Sequence, residues 1–184
     1  PFTQFFNHLL FRSRCIFRRQ IYRLTVQQFK KSTPLIAPCT RKREILLMSD
    51  PTEVALTYEV EQKFAEAMPT RTLLMSEAST WLRDICEQED LDVPHLDSHA
   101  LPQRIEAVAI AETWCILVNG VAPTQHTILH ELAHLSCANK GHGKEFRTQL
   151  VSYIRRYISL EHAALLHSLF VNAQLSVEPF SATR

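Results

Sequence analysis

His130-Glu131-Leu132-Ala133-His134, followed at a short distance by Gly141-His142-Gly143, decides how the rest of the chain is read. On an α-helix, residues four apart lie on one face, about 6 Å from each other, so two imidazoles at this spacing reach one metal ion together. Glu131 stands about 100° round the helix from His130. It cannot crowd in as a second ligand, yet it reaches a water on the metal. Zinc in catalytic sites takes three protein ligands and keeps a further position for water. The His-Glu-x-x-His pattern supplies two of those ligands and a general base.

The third ligand has to come from outside this helix. His126 and Cys137 share the face of His130 and His134. Three ligands strung along one straight helix span about 10–12 Å, too far for bonds of about 2.0–2.3 Å to one tetrahedral ion. His142 is the nearest candidate, and Glu145 is the alternative. His126 reads as a helix-start residue or a support behind the ligands, and Cys137 as a small buried hydrophobe. The chain has only three glycines, Gly120, Gly141 and Gly143. Gly141 reads as a helix stop, and the Gly-His-Gly turn as the device that swings the third imidazole back.

The formal charge of +1 over 184 residues conceals two kinds of polypeptide. Residues 1–47 hold ten Lys/Arg against the single acid Glu44, whereas residues 48–184 hold ten bases against eighteen acids. Three readings of the basic, Phe-rich segment stay open: a transit peptide, a basic arm that holds nucleic acid, or an extension ahead of Met48 as initiator. In each, little fixed structure is expected before residue 48. The five cysteines, Cys15, Cys39, Cys86, Cys115 and Cys137, form no C-x-x-C pair. That excludes a zinc ribbon and argues against a disulfide framework. No apolar run is long enough to span a membrane, no secretory signal is evident, and the expected location is cytoplasmic. With so few glycines there is no phosphate-cradling loop, which removes most nucleotide-dependent enzymes.

Asp50-Pro51-Thr52-Glu53 is a helix start, with an N-cap acid and proline at the first position. The helix is expected over 51–67 with Val54, Tyr58 and Phe64 inward, and Pro69 ends it. Arg71–Met75 reads as a short strand. Ser76 caps a second helix to about Glu89, with Ala78, Trp81, Leu82 and Ile85 facing the core. Residues 90–103, holding Pro94 and Pro102, read as a loop. Arg104–Ile110 and Thr113–Val118 suggest a hairpin. The motif helix is expected over Thr124–Asn139, then a helix marked by Phe146, Leu150, Ile154 and Tyr157, and a last one over Leu160–Ala173. The sum is a small α+β domain over 48–177 with a tail over 178–184.

This layout, with the turn His142-Gly143-Lys144-Glu145-Phe146, resembles the zincin metallopeptidases. It is most similar to the SprT-like domain and to small metallohydrolases of actinobacteria and their phages. The resemblance implies a zincin-like fold, Zn2+ on His130, His134 and His142, and Glu131 as the base. Two departures stand out. The gap before the third histidine is short for SprT-like crosslink proteases, and no cysteine ribbon follows. The metzincin position for the third histidine is Lys140 here.

His95-Leu96-Asp97-Ser98-His99 reads as solvated loop or a weak metal site. His162 and His167 read as structural or surface. Tyr153, Tyr157 and Arg147 are candidate donors to a developing oxyanion, with core packing as the plainer role of the tyrosines. The expected function is a zinc-dependent hydrolase, a metallopeptidase acting on a protein or peptide with water activated by Glu131. The alternative is a non-catalytic zinc-stabilised binding module. It would have Cys137 or Glu145 as fourth ligand and a basic arm for nucleic acid.

Overall fold

A computed structural model describes residues 50–137 and 141–180. The expectations for residues 1–47, for Met48 and for the last four residues lie outside that range. Among the described residues five α-helices and three strands follow one another as α1 (Pro51–Ala67), α2 (Met75–Gln88), β1 (His95–Ser98), β2 (Ala107–Ile110), β3 (Cys115–Val118), α3 (Gln125–Ser136), α4 (Lys144–Tyr157) and α5 (Leu160–Asn172). The class is α+β. Among the described residues no helix is long and apolar enough to cross a membrane.

The start of α1 is as expected: Asp50 caps it by accepting from the Thr52 amide at 2.9 Å, and Pro51 opens the helix. Its inward face differs. Thr57, Val60, Glu61 and Phe64 are buried, while Tyr58 is 53% exposed. A helix expected to bury an apolar stripe buries a partly polar one instead. Helix α2 starts at Met75 behind Leu74, with no side-chain cap, so Ser76 does not cap it. Ala78, Leu82, Ile85 and Cys86 form its buried side, and Trp81 packs against the core from a half-buried position.

Two expectations about strands are corrected. Arg71–Met75 is not a strand; it makes a single antiparallel bridge, Thr72 to Thr124. The ladder cannot extend, because Pro123 only accepts, from the Leu73 amide, and has no N–H to return. Conversely, the proline-bounded segment read as loop contains β1. Only Leu96 gives it an apolar side chain, and its stability comes from pairing in parallel with β3, His95 opposite Cys115 through Ser98 opposite Val118. The hairpin is present, β2 antiparallel to β3, and shorter than expected. The sheet order is β1-β3-β2. Central β3 buries Cys115, Ile116 and Val118, and β2 is an edge.

Helix α3 runs through the middle of the domain. Eight of its twelve residues are buried, packed between the sheet and α4, with α5 on the far side of α4. Thr124 caps it, Oγ1 accepting from the Thr127 amide at 3.1 Å. It ends at Ser136, before Gly141, so that glycine belongs to the following turn and is not the helix stop. Phe146, Leu150 and Ile154 of α4 complete the core beneath it, with Leu166 and Phe170 of α5.

Candidate metal centre

His130 and His134 project from one side of α3, and the turn before α4 brings His142 to them. Their Nε2 atoms are 3.2 Å apart from His130 to His134, 3.2 Å from His134 to His142, and 3.4 Å from His142 to His130. The edge of a tetrahedron with bonds of about 2.0–2.1 Å is about 3.3–3.4 Å, so this is the spacing of three ligands round one ion. The three contacts cannot all be hydrogen bonds, because each Nε2 is either a donor or an acceptor and at least one pair among three must then be of like kind. A neutral imidazole has one donor and one acceptor nitrogen, and Nδ1 of His130 already faces the Glu61 carboxylate at 2.7 Å. A neutral His130 that donates there directs a bare lone pair at its neighbours. The cluster could hold a metal ion.

The surroundings keep the rings in that arrangement. Phe146 lies under all three, with ring centres 4.9, 4.4 and 4.7 Å from His130, His134 and His142. Tyr58 packs against two of them, 4.6 Å from His142 and 6.0 Å from His130. His130 and His142 are only 8% and 7% exposed. Burial, and next the charge of His130, bring the His134 pKa down to about 3 and that of His142 to about 4. Both rings stay neutral, as ligands must be. For His130 burial alone would act downward. The charge and hydrogen bond of Glu61 outweigh it and the net direction is up.

Glu131 is buried and lines the same cavity, of about 380 Å³, as the three histidines, Tyr58 and Ala107 to Ala109 of β2. Burial raises its pKa and the charge of Glu61 adds to that. His130 and a hydrogen bond from the Ala109 backbone oppose the rise without reversing it.

The turn carrying His142 is anchored from behind by Arg147, which is fully buried. Its guanidinium donates to the His142 carbonyl at 2.6 Å, to the Ser176 carbonyl at 2.9 Å and to Glu53 of α1 at 2.6 Å. Arg147 is therefore a structural strut beneath the turn and not a donor within the cavity. Tyr153 pairs with Ser136 and Tyr157 with Glu89. Neither lines the cavity, so packing is the role of both. The half-exposed Cys137 caps the end of α3, and Glu145 lies in the first turn of α4. Neither joins the convergent donor atoms, which among the described residues belong to the three histidines alone. His95 stands on β1, His162 pairs with the α5 cap Ser159, and His167 reaches the Glu178 carbonyl.

His126 sits at the start of α3, its amide bound to Thr70. Its Nε2 lies 3.0 Å from Glu61 Oε2, close in charge terms though not aligned as a hydrogen bond. Glu61, Glu53 and the position of Tyr58 escaped the sequence reading. The available signal was polar residues at four-residue spacing, Glu53, Thr57 and Glu61, in a helix with a weak apolar face.

No family model matches the chain, and no curated protein or solved structure matches it either.

Proposed function

We propose that the chain is a zinc-dependent hydrolase of the zincin type, acting on peptide bonds, with His130, His134 and His142 as the metal ligands and Glu131 as the general base. One observation carries the reading: three imidazole nitrogens at tetrahedral spacing share a cavity with a buried carboxylate. Three neutral imidazoles suit zinc, and a three-ligand set is what catalytic zinc uses. Zinc held there supplies Lewis acidity, making water more acidic and a carbonyl more electrophilic.

The chain's own groups supply the rest. Glu131 takes a proton from the attacking water, holds it on the carboxylate and delivers it to the departing amine. Its raised pKa suits a group that must act first as base and then as acid. Among the described residues Tyr58 is the one hydroxyl that lines the cavity. Burial and the nearby Glu61 and Glu131 raise its pKa, so it stays protonated and can donate to a developing oxyanion. Phe146 packs against all three ligand rings and holds them in place. The test is Glu131→Gln in the zinc-loaded full chain, assayed on fluorescent casein and a peptide library. Zinc content should stay at that of the wild type while cleavage is lost. Retained cleavage would remove Glu131 from the mechanism, and a wild type without zinc would remove the reading altogether.

A further inference from the structure

Helix α1 presents Glu53, Thr57 and Glu61 at four-residue spacing, which puts them on one face. All three serve the histidine cluster. Glu53 and Thr57 bind Arg147, the residue under the His142 turn, and Glu61 binds His130. Glu61 is 5% exposed, its Oε2 lies 2.7 Å from His130 Nδ1 and 3.0 Å from His126 Nε2, and among the described residues its Oε1 has no hydrogen-bond partner. A buried carboxylate with an unpartnered oxygen is costly to folding. A buried carboxylate set 2.7 Å behind one member of the histidine cluster, at a cost to stability, is explained by a cation on the other side of that ring.

We propose that Glu61 is a positioning residue of the metal centre. Accepting from Nδ1–H of His130, it fixes the tautomer that leaves Nε2 free for the ion, sets the ring's orientation, and makes that nitrogen a stronger donor. The inference rests on the three histidines being metal ligands, and it does not depend on the reaction proposed above. A carboxylate behind a metal-bound imidazole generally contributes 10–100-fold to metal affinity.

The experiment is a zinc titration of the full chain against a chromogenic chelator, with thermal unfolding in metal-free and zinc-loaded forms. Glu61→Gln, which keeps an acceptor oxygen and removes the charge, should weaken zinc binding by about tenfold, and Glu61→Leu, which removes both, by about a hundredfold. The metal-free unfolding temperature should hold in Glu61→Gln, and the rise on adding zinc should shrink in both variants. Glu66→Gln, on the same helix and lining the neighbouring cavity without touching His130, should change neither quantity. Zinc affinity within twofold of wild type in Glu61→Gln and Glu61→Leu would overturn the proposal. So would an equal loss in Glu66→Gln, which would point to the field of the helix as a whole, or a fall confined to the metal-free unfolding temperature. A wild type that binds no zinc sinks the ligand assignment and this inference together. A wild type that binds zinc without cleaving anything sinks only the peptidase.

Discussion

Helices α3 and α1 both supply the candidate metal centre, and they contribute to it in different ways. The contribution of α3 is contained in five consecutive residues, His130 to His134, whose chemistry follows from helix geometry alone. The contribution of α1 is spread over Glu53, Thr57, Tyr58 and Glu61, and each acts through a residue or ring distant in sequence: Arg147, His130 or His142. A side chain that touches the reacting centre announces itself by type and spacing. A side chain that supports one is recognisable only once the fold has brought its target beside it.

The comparison can be broken at several points. The largest effect is expected from the ligands. His142→Ala leaves two imidazoles on one helix, and zinc affinity should fall by orders of magnitude, with thermal stability becoming insensitive to added zinc, since a ligand stabilises only by binding the native state. Isothermal titration with zinc checks this. If Glu145→Ala loses zinc where His142→Ala keeps it, the turn has been misread. Glu131→Gln comes next, lowering kcat/KM by about 10²–10⁴-fold, the usual worth of a positioned acid–base group, with zinc retained.

The α1 side should yield smaller numbers of a different kind. Arg147→Met strands the carbonyls of His142 and Ser176 and leaves Glu53 without its partner. Denaturant unfolding should show a loss of about 3 kcal/mol, the low end for breaking a buried ion pair, because Glu53 is partly exposed. Tyr58→Phe should lower kcat by about tenfold with KM nearly unchanged, less than a fully enclosed donor would cost, as this one is half open to solvent. An unchanged kcat would leave the tyrosine as a lid over the rings.

The smallest effect is one of pH on the metal-free chain. His134 and His142 have folded pKa values of about 3 and about 4 against 6.5 when unfolded. Below pH 6.5 the unfolded chain binds more protons at these two positions, so their contribution is complete above 6.5 and is lost as pH falls towards 4, while the raised pKa of Glu131 opposes part of that fall. The His130 pKa is raised, so its contribution is complete below 6.5 and is lost only as pH rises. It does not offset the others in the acid window. Melting temperatures at pH 7, 6, 5 and 4 should fall in that order, and His134→Asn should flatten the slope.

How much could be read beforehand follows the same division. The motif helix, the hairpin and the convergence of His142 rest on local signals: ligand spacing, β-branched runs and a Gly-His-Gly turn. The α1 boundaries were legible from Asp50 and Pro51, but its buried face was not, because Thr57 and Glu61 are buried by their partners and not by hydrophobicity. Strand β1 was hidden because four residues with a single leucine become a strand only beside β3. Arg147 is a candidate oxyanion donor by type alone, and the type of a residue says nothing about which side of a turn it supports.

The separations within the centre also bear on how the chain acquires its shape. The three histidines lie within twelve residues of one another, whereas Glu61 and His130 are 69 apart and Glu53 and Arg147 are 94 apart. Closing the 69-residue loop costs about 1.5 kcal/mol more chain entropy than closing the twelve-residue one. Contacts of short span therefore form ahead of those of long span, and the imidazoles can gather while α1 is still undocked. Refolding followed by stopped-flow should then be faster with zinc present, while the zinc dependence of unfolding should report the departure of α1.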